Sequence, residues 1–194
     1  MINFELFNEK SKILINDSQN KALEKNHQQV TPEHLVFMVL QNNDDYLKDI
    51  LEDCKANLAK IRISLESEIK KFPSILGNNL NIYFSSDLVK IFLKSKSLIN
   101  EFNDSFISPE ILIYSILNCD NLVIYDLLVK NGLNKESFKK SIIKIRKGQT
   151  IDTSNKSINS NSLRKFSINV TDLANKGKLD PVIGREEEIR RSIQ

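Results

Sequence analysis

His27 and His34, only seven positions apart, come closest to a metal-binding or acid–base pattern in this 194-residue sequence. Imidazoles are good zinc ligands, but a site needs three or four converging donors. No neighbouring cysteine or carboxylate completes such a set, and the interval crosses a capped helix start at Thr31. The pair therefore reads as a turn histidine and a helix-surface histidine, with no metal site. Cys54 and Cys119 stand alone, without CxxC or Cys/His spacing, and read as buried reduced thiols. No serine, cysteine or histidine has a companion base at a readable spacing, so nucleophilic catalysis is not indicated. A GxxxxGK[ST] phosphate loop is also missing from the sequence, so the chain is not expected to be an enzyme or to hydrolyse ATP alone.

The informative pattern is instead a repeat. Thr31-Pro32-Glu33-His34-Leu35 returns 77 positions later as Ser108-Pro109-Glu110-Ile111-Leu112, and each copy opens an apolar helical run. A hydroxyl residue caps the helix, proline takes the first helical position where its missing N–H is not needed, and a carboxylate follows near the positive end of the dipole. Helices are predicted over about 3–25, 31–41, 46–53 and 56–71, and again from Ser85 to about 100, from Ser108, over 122–130 and from Asn134 to Arg146. Ser18 and Ser95 share the 77-residue offset as small residues on the first helix of each unit. Each unit is too small to bury its apolar face alone. The expected fold is therefore an all-α, pseudo-twofold domain over 1–146, with four-helix repeats at about 3–72 and 85–146.

Bulk properties narrow the partners. The sequence is 40% hydrophobic and 27% charged, and no apolar stretch approaches the 18–20 residues or so of a membrane span. The first residues lack the basic and apolar regions of a secretory signal, so a cytoplasmic location is expected. Residues 1–146 carry 19 Lys/Arg and 19 Asp/Glu, and the net charge of +3 falls beyond them. Lys139-Lys140 and Arg190-Arg191 are short basic pairs without interleaved aromatics, which does not predict nucleic-acid binding. In 147–162, nine of sixteen residues are Ser, Thr or Asn, and only Ile151 and Ile158 are apolar. That composition reads as a flexible linker.

Beyond the linker stand Leu163-Arg164-Lys165-Phe166 and then Gly177-Lys178-Leu179-Asp180-Pro181-Val182-Ile183-Gly184-Arg185-Glu186-Glu187-Glu188-Ile189-Arg190-Arg191. This stretch resembles the entry into the first AAA+ ATPase module of Clp-type unfoldases. The duplicated helical domain before it is similar to the Clp N-terminal domain. The Phe72-Pro73 loop, Phe106-Ile107-Ser108 and Arg164-Lys165-Phe166 resemble ClpB-type disaggregases most. By this resemblance, residues 163–194 are a truncated start of the ATPase module. The chain is then either a fragment of a longer protein or the product of a truncated reading frame.

The resemblance implies a hexameric ring that uses ATP and magnesium to thread aggregated polypeptides alongside the DnaK chaperone system. The N-terminal domain would contact unfolded or aggregated polypeptides, and the isolated chain would be monomeric and without a cofactor. One alternative is the N-domain of a ClpA- or ClpC-type unfoldase that docks adaptors for a protease. Another is a nucleotide-binding ATPase, which the missing phosphate loop opposes. In this family the segment corresponding to Asp180, Pro181, Val182, Ile183 and Gly184 lies beside adenine, so these residues would form an incomplete nucleotide half-site. Two repeats meeting at a seam leave a groove, and Asp104, Phe106, Ile107 and Glu110 are the residues expected to rim it. The competing structural reading makes Glu110 a helix-start carboxylate, Asp104 a turn residue and Phe106 a staple into the core.

Overall fold

The computed structural model describes residues 3–42, 44–75, 81–154 and 190–191. Residues 1–160 form one compact unit and 161–194 a second, in which the described Arg190 and Arg191 are helical. Among the described residues the first unit contains eight α-helices. These are α1 (Glu9–Glu24), α2 (Pro32–Gln41), α3 (Asp45–Asp53), α4 (Leu58–Ile69), α5 (Ser86–Leu98), α6 (Pro109–Ile116), α7 (Val123–Lys130) and α8 (Lys135–Arg146). The predicted first helix is shorter than expected, because buried Asn8 interrupts it. Its Oδ1 accepts the Ser11 N–H, so α1 starts there and Phe4–Leu6 form a separate 3-10 turn.

The duplication is visible in the caps. Asn57 and Asn134 stand 77 positions apart and cap α4 and α8 through the Lys60 and Ser137 N–H groups. The helices α2 and α6 are apolar nearly all round and lie in the core, as a helix without a polar face must. Fully buried Ser18 and Ser95 return their hydroxyls to the Leu14 and Phe92 carbonyls, which lets small side chains sit inside without an unpaired polar group.

The repeats do not merely stack; each lends a segment to the other. Val30 of the short strand β1 (Gln29–Val30) pairs in parallel with Phe84 of β2 (Tyr83–Phe84). The same offset of 77 turns that pair into Ile107 and Phe7, which form a parallel bridge. The hydrogen bonds match as well: the Ser85 N–H donates to the Val30 carbonyl at 2.9 Å and the Asn8 N–H to the Ile107 carbonyl at 3.0 Å. The segment entering the first helix of each repeat is therefore fixed by the loop before the proline-started helix of the other. Neither repeat completes its backbone hydrogen bonding alone.

The expected start of the linker is corrected. Ile151 is buried at 2% exposure, its carbonyl accepts the Ser105 N–H at 2.9 Å, and the Ser154 carbonyl accepts the Glu9 N–H at 3.0 Å. The chain thus returns across the domain after α8, and the packed region reaches Ser154. Composition hid this because one isoleucine in a polar stretch suffices to anchor it. Residues 155–162 lie outside the described residues.

Candidate functional site

Three of the four residues expected to rim a groove lie inside the domain. Asp104, Ile107 and Glu110 are buried, and only Phe106 is partly open. Arg146, the last residue of α8, explains the burial of both acids. Its Nη1 donates to Asp104 Oδ2 at 2.7 Å and its Nη2 to Glu110 Oε1 at 2.6 Å. Its Nε donates to the Tyr46 hydroxyl at 3.2 Å, and the guanidinium lies over the Phe102 ring. The remaining Asp104 oxygen accepts the Ile151 N–H at 2.8 Å, which ties the returning segment to the network. Burial opposes the charge on Arg146, but Glu110, Tyr46 and Asp104 outweigh it and raise its pKa further. The groove-rim assignment of Asp104, Ile107 and Glu110 is therefore corrected: an ion-pair cluster with side chains 3% exposed or less offers no open contact surface.

The repeat offset places different chemistry at the matching positions of the first repeat. Asp104, Glu110, Ile111 and Arg146 correspond to His27, Glu33, His34 and Ile69. An ionic cluster in one copy is replaced by a histidine–aromatic cluster in the other. His27 and His34 are not turn and surface residues, since they are 5% and 0% exposed. The His27 Nδ1 and His34 Nε2 lie 3.0 Å apart, and Phe72 packs against both rings at 5.7 and 5.6 Å. The Thr31 N–H donates to His34 Nδ1 at 3.2 Å, the reciprocal arm of a capping box. That Nδ1 must be an acceptor, so the neutral His34 ring carries its proton on Nε2 and donates it to His27 Nδ1. Burial, with the charges of His27 and Lys21, lowers the His34 pKa to about 4, which keeps the ring neutral. Ile69 stands where Arg146 serves the other copy, and burial raises the Glu33 pKa. A histidine three residues after the hydroxyl cap was the readable signal, because that position points its side chain at the cap amide.

The described residues form several surface depressions, among them one of about 260 Å³ between Val39, Leu51 and Leu58 and the following two. One, of about 320 Å³, is lined by His27, Gln28, Gln29, Phe72, Ile75 and Tyr83, together with Thr31 and Pro73. The other, of about 300 Å³, lies where the repeats exchange segments, between Phe4, Ile15 and Phe84 with Lys12, Asn16 and Gln19 at its edge. Phe4 is 39% exposed there and stacks on Phe84 at 5.9 Å. Among the described residues no group of three or more His, Cys, Asp or Glu could hold a metal ion. No described helix is long and apolar enough to cross a membrane. The half-site residues Asp180, Pro181, Val182, Ile183 and Gly184 lie outside the described residues.

A duplicated helical fold with segments exchanged between its repeats defines an N-terminal domain of the Clp type. Residues 6–131 match the Clp repeat (R) N-terminal domain, and the chain belongs to that family. It is 32% identical over 193 residues to the chaperone protein ClpB of Mesorhizobium japonicum, covering 100% of this chain and 22% of that protein. The chain thus spans about a fifth of the length of the curated relatives it matches. Its fold is similar to the Hsp104 N-terminal domain from Candida albicans, with a TM-score of 0.66 and 18% identity over 80% of this chain and 99% of that one. It is also similar to a ClpV N-domain in complex with a VipB peptide, with a TM-score of 0.60 and 19% identity over 74% of this chain and 89% of that one.

Proposed function

We propose that this chain is the polypeptide-engaging N-terminal part of a ClpB-type disaggregase, a hexameric ATPase that solubilises aggregated proteins with the DnaK system. The observation that carries this reading is the match to ClpB over the full 100% of the chain, including the stretch beyond the helical domain. The peptide bound by a structurally similar ClpV N-domain supports the polypeptide role. Apolar depressions on the domain supply concave surface for such contacts. ATP and magnesium belong to the ATPase modules, so this chain alone binds no nucleotide and has no ATPase activity. Calorimetry with Mg-ATP tests that statement: saturable micromolar binding overturns it.

The ClpA- or ClpC-type reading keeps the domain and changes the role to adaptor docking for a protease. The downstream coding sequence separates the two. A coiled-coil middle insertion supports disaggregation, whereas a protease-docking loop in the second ATPase module supports degradation. Reactivation of aggregated luciferase with DnaK, by the full-length protein with and without residues 1–154, tests the role directly. Equal reactivation by both proteins removes the N-domain from substrate engagement.

A further inference from the structure

We propose that residues 147–154 form a releasable strap, which opens from the domain as a unit about a hinge at Lys147-Gly148 while the eight helices stay folded. Opening frees Ser154 from its place beside Glu9 and lets the chain swing from the end of α8. The device does not depend on the polypeptide-engaging role. Its hinge is built into the backbone: Lys147 and Gly148 follow α8 with φ of 49° and 83°, two left-handed residues in succession that turn the chain back over the domain. A Cβ added at Gly148 would meet nothing within 4 Å, so the turn needs glycine for its conformation and not for space. Beyond the hinge the segment holds no helix or strand, and Ile151 is its one buried residue. Gln149, Asp152 and Thr153 are exposed.

The backbone of the strap is fastened at two places. The Ile151 N–H donates to Asp104 Oδ1 at 2.8 Å and its carbonyl accepts the Ser105 N–H at 2.9 Å, while the Ser154 carbonyl accepts the Glu9 N–H at 3.0 Å. Glu9 opens α1, and its N–H has no acceptor within the helix, so water can take the place of Ser154 there. Asp104 meets Arg146 through its other oxygen, Oδ2, so lifting Ile151 leaves the buried ion pair bonded. A segment with few buried apolar contacts opens below the cost of global unfolding. The first repeat holds the permanent version. Ser74, 77 positions before Ile151, bridges to His27, and the Ile75 N–H donates to the Asn26 carbonyl at 2.9 Å. Ser74 is exposed, but its segment leads on to β2, which is paired with β1, so it is held at both ends. Among the described residues no element of the same unit follows Ser154, and the buried side chain of Ile151 does the holding instead. The strap therefore lets go without unpairing the repeats, and its eight residues then reach at most about 26–29 Å beyond α8.

The test is native-state hydrogen exchange of the whole chain, followed by nuclear magnetic resonance at urea concentrations below the unfolding midpoint. The Glu9, Ser105 and Ile151 amides make the bonds that fasten the strap, whereas the Leu112 and Leu117 amides bond within the core helix α6 and its end. The three strap amides should share one protection factor, at least about a hundredfold below that of Leu112 and Leu117 and almost independent of urea. Ile151→Ala should lower the protection of Glu9 and Ser105 at least about tenfold. The mild core substitution Ile61→Val in α4 should lower the protection of Leu112 and Leu117 and leave the strap amides unchanged. Strap amides that exchange as slowly as Leu112 and Leu117, with the same urea slope and the same response to Ile61→Val, overturn the device, since the segment then opens only with the whole domain. Unequal protection of Glu9 and Ile151 overturns opening as a unit.

Discussion

Replacing Arg146 by methionine tests the internal architecture most sharply. The substitution keeps a long apolar stem and removes the only cation bonded to Asp104 and Glu110 among the described residues. Both carboxylates stay buried, since the side chain of Asp104 is 0% exposed and that of Glu110 is 3% exposed. Breaking a buried pair by removing one partner costs about 3–5 kcal/mol, because the remaining charge is uncompensated. That is a large share of the roughly 5–15 kcal/mol that holds a typical domain together. With a urea slope of about 2 kcal/mol per molar, the midpoint at pH 7 should fall by about 2 M. The deficit should also depend on pH with a defined sign. Carboxyls stranded without the guanidinium have pKa values raised above their unfolded values near 4, so the deficit is full at pH 7 and disappears as the pH falls below about 4. The triple variant Arg146→Met, Asp104→Asn, Glu110→Gln should lose less than the single one, since no buried charge is left. Urea titrations followed by circular dichroism measure each case. A midpoint shift below about 0.5 M for Arg146→Met, unchanged in acid, would refute the reasoning.

Further outcomes follow from the other features. A histidine held neutral with its pKa lowered from 6.5 to about 4 stabilises the domain fully above pH 6.5 and loses that contribution between 6.5 and about 4, by roughly 3 kcal/mol. The difference in unfolding free energy between the wild type and His34→Gln at pH 7.5 and 4.5 isolates this effect, and a pH-independent difference contradicts it. Trypsin should cut after Lys156 before it cuts after Lys147, because the chain from 147 to 154 is anchored by buried Ile151 and by the hydrogen bonds of the Ile151 and Ser154 carbonyls; mass spectrometry of the first fragment decides, and early cleavage after Lys147 contradicts the returning segment. Ile151→Ala should cost about 2 kcal/mol or more and expose the Lys147 bond to trypsin, while an unchanged urea midpoint would mean that Ile151 anchors nothing.

Much of the fold is written locally in the sequence. Thr31-Pro32 and Ser108-Pro109, the asparagine caps at Asn57 and Asn134 and the 77-residue offset are short-range signals, and they marked the helices to within a few residues. What escaped is nonlocal. Arg146 ends a helix already carrying Lys144, where a basic residue looks like an ordinary solvated partner of the dipole. Its acids stand 36 and 42 positions earlier, and nothing in their own neighbourhoods announces an arginine. Asp104 and Glu110 consequently read as groove residues, although the pairing turns them inward. The exchange of Phe7 and Phe84 between repeats and the burial of the two histidines also depend on contacts across the fold.

The most direct measurement of the central claim is a binding titration of the purified chain against one protein in two states, native α-lactalbumin and its reduced, carboxymethylated form, followed by nuclear magnetic resonance. The account predicts saturable shifts with the unfolded form, confined to residues lining the apolar depressions, and none with the native form. Equal response to both forms, or shifts scattered over the surface, would contradict a polypeptide-engaging domain.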